Sequence, residues 1–181
     1  MRVVLVALCL ALSMASCIPW RRPQAECYAF SQLPRVFSHE FSGVRALSGR
    51  FSLKVSKGGR VGIMRGEFVY EASCGLWAVG YGPFGGQLLE ARIRDSSLQL
   101  LFAREGVLYE GEPRNKRGIC LTFERTEGEG YPSLIRGRAG PWDFTLRLKD
   151  LKEEAKPLPP LHIPPGTAVF PLEDLFELLW P

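Results

Sequence analysis

The chain has 181 residues, of which 46% are apolar, 11% aromatic and 23% charged, with a formal net charge of +4. That apolar and aromatic share is enough to build a real core in a single domain. The basic excess is mild and spread along the chain, so it suits an anionic lipid surface weakly and makes no case for nucleic acid.

The first segment, MRVVLVALCLALSMASC, opens with the positive Arg2 and continues with the apolar run Val3 to Leu12. The run is too short to span a bilayer as a stable helix and reads as a signal peptide over residues 1–16. Small residues Ala15 and Ser16 stand directly before Cys17, with Met14 where Leu is usual. This resembles a bacterial lipobox, in which Cys17 is acylated and becomes the new N-terminus. The alternative is an ordinary secreted protein in which Cys17 is incidental. Two or more acyl chains make a firm membrane tie, because each buried methylene contributes about 0.8 kcal/mol. Ile18, rather than Asp, follows Cys17. By the sorting rule known for enteric lipoproteins, that resembles an outer-membrane address facing the periplasm.

Residues 17–29 read as the lipidated N-terminus and a tether, kept from helix by Pro19 and Pro23. From Phe30, apolar residues fall at Phe30, Leu33, Phe37, Phe41, Val44 and Leu47, in steps of three and four that predict one helix face. Pro34 is tolerated only near the start, so the helix begins near Gln32 or Leu33.

The period then changes to two. In LSGRFSLKVS, Phe51, Leu53 and Val55 alternate with polar residues, which predicts a half-buried strand. Lys57-Gly58-Gly59 supplies a hairpin turn, and the partner runs from Arg60 to Glu71, with a phase shift near Met64 to Gly66 that predicts a bulge. Further strands are expected at Leu76 to Tyr81, Gln87 to Arg94, Ser97 to Ala103, Val107 to Glu110, Ile119 to Arg125, Ser133 to Ala139 and Trp142 to Lys149. Turns fall at GPFGG, Asp95-Ser96 and Arg104-Glu105-Gly106. After the expected domain of residues 30–151, residues 152–181 form a Pro-rich tail ending in FPLEDLFELLWP, a short helix with Pro171 in its first turn and Glu173 and Asp174 near its N-terminus. Leu172, Leu175, Phe176, Leu178, Leu179 and Trp180 cover nearly its whole circumference, so something must cover it.

About nine short antiparallel strands predict a mainly β, α+β fold whose apolar face is hidden by closing, by pairing with another sheet or by curling around a helix, and the lone long early helix favours the last. The in-phase residues Phe51, Leu53, Val55, Leu89, Ala91, Ile93, Phe144, Leu146 and Leu148 are expected together on the concave face.

The pattern resembles the LolA/LolB superfamily of lipoprotein carriers and receptors. The stretch LWAVGYGPFGGQLLEARIRDSSLQLLF is similar to the LolB segment in which a strand leads into a protruding turn and an alternating strand. The preceding helix, the strand LSGRFSLKVS, the hairpin to GEFVYE and the later GYPSLIRG match in order and spacing. The resemblance covers about Phe30 to Lys149. It implies a strongly curved, incomplete β-barrel wrapped around helices, a hydrophobic cavity lined by those in-phase residues for acyl chains of lipids or lipoproteins, and a periplasmic carrier as partner. It also implies a membrane or ligand contact for Phe84, flanked by Pro83 and Gly85. The alternative for Phe84 is a plug folded back on the sheet. Only GEPRNKRG stands where LolB has a helical lid, and this segment reads as a turn. The candidate replacement lid is the C-terminal helix, through Leu172, Leu175, Phe176, Leu179 and Trp180.

An enzyme is the first rival class. The two histidines, His39 and His162, stand in no catalytic motif, so no catalytic residue, metal or cofactor is expected. Cys27, Cys74 and Cys120 allow one disulfide and one leftover thiol, and their positions do not choose the pair. The second rival is a non-catalytic lipoprotein that braces an envelope complex by protein contacts, its cavity filled by its own side chains. Arg136, Arg138, Arg147 and Lys149 read as a solvated outer face, with a patch for an anionic surface as the alternative. Trp77 and Trp142 read as sheet core. The expected state is a monomer.

Overall fold

Alternation of apolar and polar residues, punctuated by glycines at positive φ, builds almost the whole molecule. The structure is a computed structural model that describes residues 25–94, 97–112, 114 and 118–179. The signal, Cys17, most of the tether, the Asp95-Ser96 turn, the middle of GEPRNKRG and Trp180 lie outside the described residues. Eleven strands form one sheet: β1 (Glu26–Ala29), β2 (Ala46–Lys57), β3 (Arg60–Glu71), β4 (Gly75–Tyr81), β5 (Gln87–Arg94), β6 (Ser97–Phe102), β7 (Val107–Gly111), β8 (Gly118–Arg125), β9 (Pro132–Ala139), β10 (Trp142–Lys152) and β11 (Ala168–Pro171). Their spatial order is β1-β8-β9-β10-β2-β3-β4-β5-β6-β7-β11. Every pairing is antiparallel except β11 with β7, which is parallel. Two short α-helices, α1 (Leu33–Glu40) and α2 (Leu172–Leu179), and a 3-10 turn at Phe30–Gln32 complete the elements. No helix among the described residues is long and apolar enough to cross a membrane.

The sheet curls until its ends approach. β7 and β8 stand eight strand intervals apart in the sheet, yet only residues 112–117 join them. Eight intervals of about 4.8 Å measure about 38 Å along the sheet, whereas seven Cα steps reach at most about 25 Å. The end of β7 and the start of β8 therefore face each other across the mouth of a nearly closed curve. The middle of GEPRNKRG, the segment that reads as a turn, lies outside the described residues. Aromatic contact also bridges the seam, for the Phe30 and Phe176 rings meet edge to face at 4.6 Å.

The concave face carries the main core. Leu47, Phe51, Phe68, Leu121, Ile135 and Leu148 are buried there around Phe41 and Val44. The helix that organises them is shorter than its apolar spacing predicts. It ends at Glu40, and Leu47 already belongs to β2, so Phe41 and Val44 reach the core from the turn between. Pro34 occupies its first turn, as its missing N–H allows. At its other end the Arg125 guanidinium donates to the Glu40 carbonyl at 3.2 Å and to its carboxylate at 2.6 Å. A cation there is favourable at a helix C-terminus.

Three expectations on strands are corrected. The end of the tether is not loose: Glu26–Ala29 pair with Leu121–Gly118, and a disulfide joins Cys27 to Cys120, leaving Cys74 as the free thiol among the described residues. The bulge expected near Met64 to Gly66 is absent, since β2 and β3 pair without a shift from Ala46↔Glu71 to Lys57↔Arg60. The phase change has another cause. Gly66 leaves room for the Phe51 ring, and a Cβ there would stand 1.9 Å from the Val79 carbonyl oxygen. Below it, Val61 and Ile63 lie on the convex face and are exposed. Register shifts occur instead at Gly80/Tyr81, Glu124/Arg125 and Lys149/Lys152. Finally, the tail and the expected domain are one unit: β10 runs to Lys152, and β11 with α2 extends the same sheet. Pro171 closes β11 rather than opening the helix.

Between them, residues 153–164 have no regular structure, a turn follows at Pro165-Gly166, and the segment carries the chain across seven strand intervals from β10 to β11. The Ser48 hydroxyl, on the convex face, donates to Glu154 at 3.4 Å, and the Ala168 N–H donates to the Gly106 carbonyl at 2.9 Å. The segment is a strap over the outside of the sheet. Beneath it the convex-face residues Val69, Val79, Leu101 and Leu108 are buried, as an uncovered outer face would not be. Glu90 is buried with them and satisfied, accepting from the Trp77 indole N–H at 2.8 Å and the Gln87 amide at 3.1 Å. Trp77 is thus part of a convex-face polar pair, and Trp142 lies at a rim with the Lys57 ammonium 4.7 Å from its ring. Neither stands in the concave core.

Candidate functional site

The trough between α1 and the sheet is not filled. A cavity of about 360 Å³ remains, lined by Pro34, Phe37 and Phe41 from the helical side and by β2, β3, β4, β5, β9 and β10. The strand contributions are Phe51, Leu53, Met64, Phe68, Tyr70, Leu76, Ala78, Leu89, Ile93, Ile135, Leu146 and Leu148. Alternation explains the set: cross-strand partners such as Leu53↔Met64, Ala78↔Phe68 and Leu146↔Leu53 must share a face. Polar side chains are confined to Ser38, Tyr70 and the turn Glu71–Gly75. There the Ser73 hydroxyl donates to the Glu71 carboxylate at 3.2 Å and lies 3.5 Å from the Cys74 sulfur. Burial pushes the Tyr70 phenol above its ordinary pKa.

Of the nine residues expected to line the cavity, the structure brings Phe51, Leu53, Leu89, Ile93, Leu146 and Leu148 to its wall. Val55, Ala91 and Phe144 share the same face but do not touch the cavity. Phe144 lies over Gly137, where a Cβ would stand 2.3 Å from its ring, and so packs into the core beside the opening. Ala91 pairs with Leu100, one of the residues packed against α2. The sequence reading missed Phe37, Phe41, Met64, Phe68, Tyr70 and Ile135. The helical spacing that named Phe37 and Phe41 was the available signal for the first two.

The expected lid is not at the cavity. Leu172, Leu175 and Phe176 are buried against Phe30, Leu98, Leu100, Phe102 and Tyr109, on the concave side of β6 and β7. None of the three lines the cavity. The helix fills the end of the trough next to the seam. Leu178 points outward and is 69% exposed; Leu179 ends the helix, and Trp180 lies outside the described residues.

Phe84 and Pro83 sit at the tip of the β4–β5 turn. The Gly82 N–H donates to the Gly86 carbonyl at 2.8 Å and the Gly85 N–H to the Gly82 carbonyl at 3.0 Å, with Gly85 at a φ of 81°. Phe84 is 100% exposed, so it is not a plug. His39 is exposed on α1 and His162 is exposed in the strap.

No protein-family model matches the sequence, and no curated protein matches it. Among solved structures the chain is similar to a LolA superfamily protein from Nitrosomonas europaea, at 7% identity over 71% of this chain and 95% of that one, with a TM-score of 0.45. It is also similar to a DUF1329 family protein from Desulfovibrio piger, at 7% identity over 68% of this chain and 92% of that one, with a TM-score of 0.34.

Proposed function

We propose that this protein is an envelope lipoprotein, anchored through Cys17 to the outer membrane, that holds an acyl chain of a lipid or lipoprotein in the trough beneath α1. The observation that carries the reading is the cavity: about 360 Å³ of space walled by aromatic and aliphatic side chains. A volume of 300–1,000 Å³ with a few convergent polar groups is what small-molecule sites use. The polar turn Glu71–Gly75 would meet the headgroup end, where water remains, while the chain follows Phe68, Ala78 and Leu146 inward. Each methylene moved from water into such a wall stabilises the complex by about 0.8 kcal/mol.

The capacity is specific. A cavity of roughly 150 Å³ takes one benzene ring, so this one holds roughly fourteen carbons by the same scale. That is one acyl chain. A client with several chains would leave the others outside, in a membrane or on a carrier protein. Phe84, at its projecting tip, is proposed as the residue that enters the acyl region of the membrane or touches bound lipid during delivery.

The test is mass spectrometry of lipid that copurifies with the protein, paired with displacement of an apolar fluorescent probe by fatty acids of graded length. Displacement should strengthen with length and level off near the capacity of the cavity. Absence of both lipid and probe binding would favour the brace, a structural lipoprotein working through protein contacts.

A further inference from the structure

The register of β9, β10, β2 and β3 assembles a basic grid on the convex face that no single strand displays. Neighbouring rows read Arg136–Thr145–Lys54–Ile63, Leu134–Arg147–Ser52–Arg65 and Arg138–Asp143–Ser56–Val61. The grid contains five cations and one acid, Asp143, which the Arg138 guanidinium engages at 2.7 Å. Arg136 reaches Glu124 at 3.4 Å. Lys54, Arg65 and Arg147 are exposed and make no ion pair among the described residues. Beyond the grid, the hairpin tip adds Lys57 and Arg60, and residues 54–65 contain no acid at all.

Two large apolar side chains stand in this basic field. Val61 is 55% and Ile63 57% exposed. They project there because β3 outruns its neighbour: the last β3–β4 pair is Arg65↔Tyr81, so residues 60–64 have no strand beside them on that side. The strap does not reach them, since its contact with this part of the sheet is at Ser48, toward the other end of β2. Phe84 projects from the same rim, in the loop that continues β4 past Tyr81.

We infer that this convex face, from Arg136 across Lys54 to Val61 and Ile63, docks on an anionic lipid bilayer. The cations meet the headgroup charge, and the two aliphatic side chains enter the boundary below it, as basic amphipathic surfaces do. Charge complementarity selects the occupant: cations outnumber acids on this face, for Asp143 and Glu124 are each engaged by an arginine and the exposed Glu67 only borders the field beside Arg65. The orientation that follows lays the outer face of the sheet against the membrane, and it does not depend on what the cavity holds.

The experiment compares the full chain carrying Cys17→Ala, which removes the acylation site, with the same chain also carrying Lys54→Glu and Arg147→Glu. Both share the leader, so their difference reports the face. The probe is cosedimentation with vesicles rich in phosphatidylglycerol, against vesicles of phosphatidylcholine alone. The parent should prefer the anionic vesicles and release them as salt rises, and the double variant should bind them about tenfold or more weakly. Equal binding by both chains, equal binding to both vesicles, or binding insensitive to salt would each overturn the inference. The salt series needs only the parent, so the test stands even if the variant folds poorly. Neither Lys54 nor Arg147 lines the cavity, so displacement of the apolar probe should be the same in both chains, and a failure of docking is distinguishable from a failure of acyl-chain binding.

Discussion

Phe84 is the clearest case of a residue whose surroundings decide its part. With no neighbour to lose, Phe84→Glu should change the melting temperature by no more than a surface substitution does, within about 0.5 kcal/mol, while weakening contact of the Cys17→Ala chain with liposomes. A large fall in melting temperature would show that the ring packs somewhere. Gly66 is the opposite case. A side chain there meets the Val79 carbonyl oxygen and the Phe51 ring, so Gly66→Ala should cost about 1–3 kcal/mol by overpacking, read as a lowered denaturation midpoint. The Cys27–Cys120 bridge spans 93 residues of chain. Changing both cysteines to serine should cost about 2–5 kcal/mol and should free β1 first, since β1 pairs with β8 alone. Hydrogen exchange at Tyr28 and Ala29 would report that release.

The C-terminal helix shows how an element can satisfy a sequence expectation by a route the sequence does not specify. Its apolar surface was expected to be covered, and Leu172, Leu175 and Phe176 are, by β6, β7 and Phe30, whereas Leu178 stays exposed. Because it fills one end of the trough without touching the cavity, it is a core element. Leu172 is completely buried, so Leu172→Ala should lower stability by about 2–5 kcal/mol and leave the affinity for an apolar probe nearly unchanged. Enhanced probe binding without loss of stability would restore the lid. The strap is a second such element. Its prolines forbid a helix and favour an extended run, which suits a segment that must cross seven strand intervals.

At the scale of the molecule, the proposed acyl-chain binding rests on a trough that the curled sheet and α1 enclose without filling. The sheet curls far enough to shield an apolar trough but not far enough to join β1 to β11, and α1 lies along the trough without filling it. Ala78 sits on the wall opposite the helix, paired with Phe68 and Ala91. Ala78→Phe should fill the space it faces, lowering probe affinity at least tenfold while the fold persists, as circular dichroism would show. Unaltered affinity would place the bound chain elsewhere.

The strands from Phe51 to Lys149 were legible in the sequence because alternation with glycine turns is a local signal, and so was the inward phase of Leu53, Leu89 and Leu146. The short strands β1 and β11 were not. Four residues carry too little periodicity, and each exists only because an edge of the sheet was there to pair with it. The choice of Cys27 with Cys120, and not Cys74, came from the same pairing. Whether an in-phase residue lines the cavity or fills it also depended on neighbours across strands, as Gly137 shows by admitting the Phe144 ring. The sequence by itself determined which faces are apolar, since that follows from residues two apart. Curvature, closure of the seam, the strap and the empty trough were decided by the tertiary structure, because they depend on groups that are distant in the chain and adjacent only after the sheet has curled.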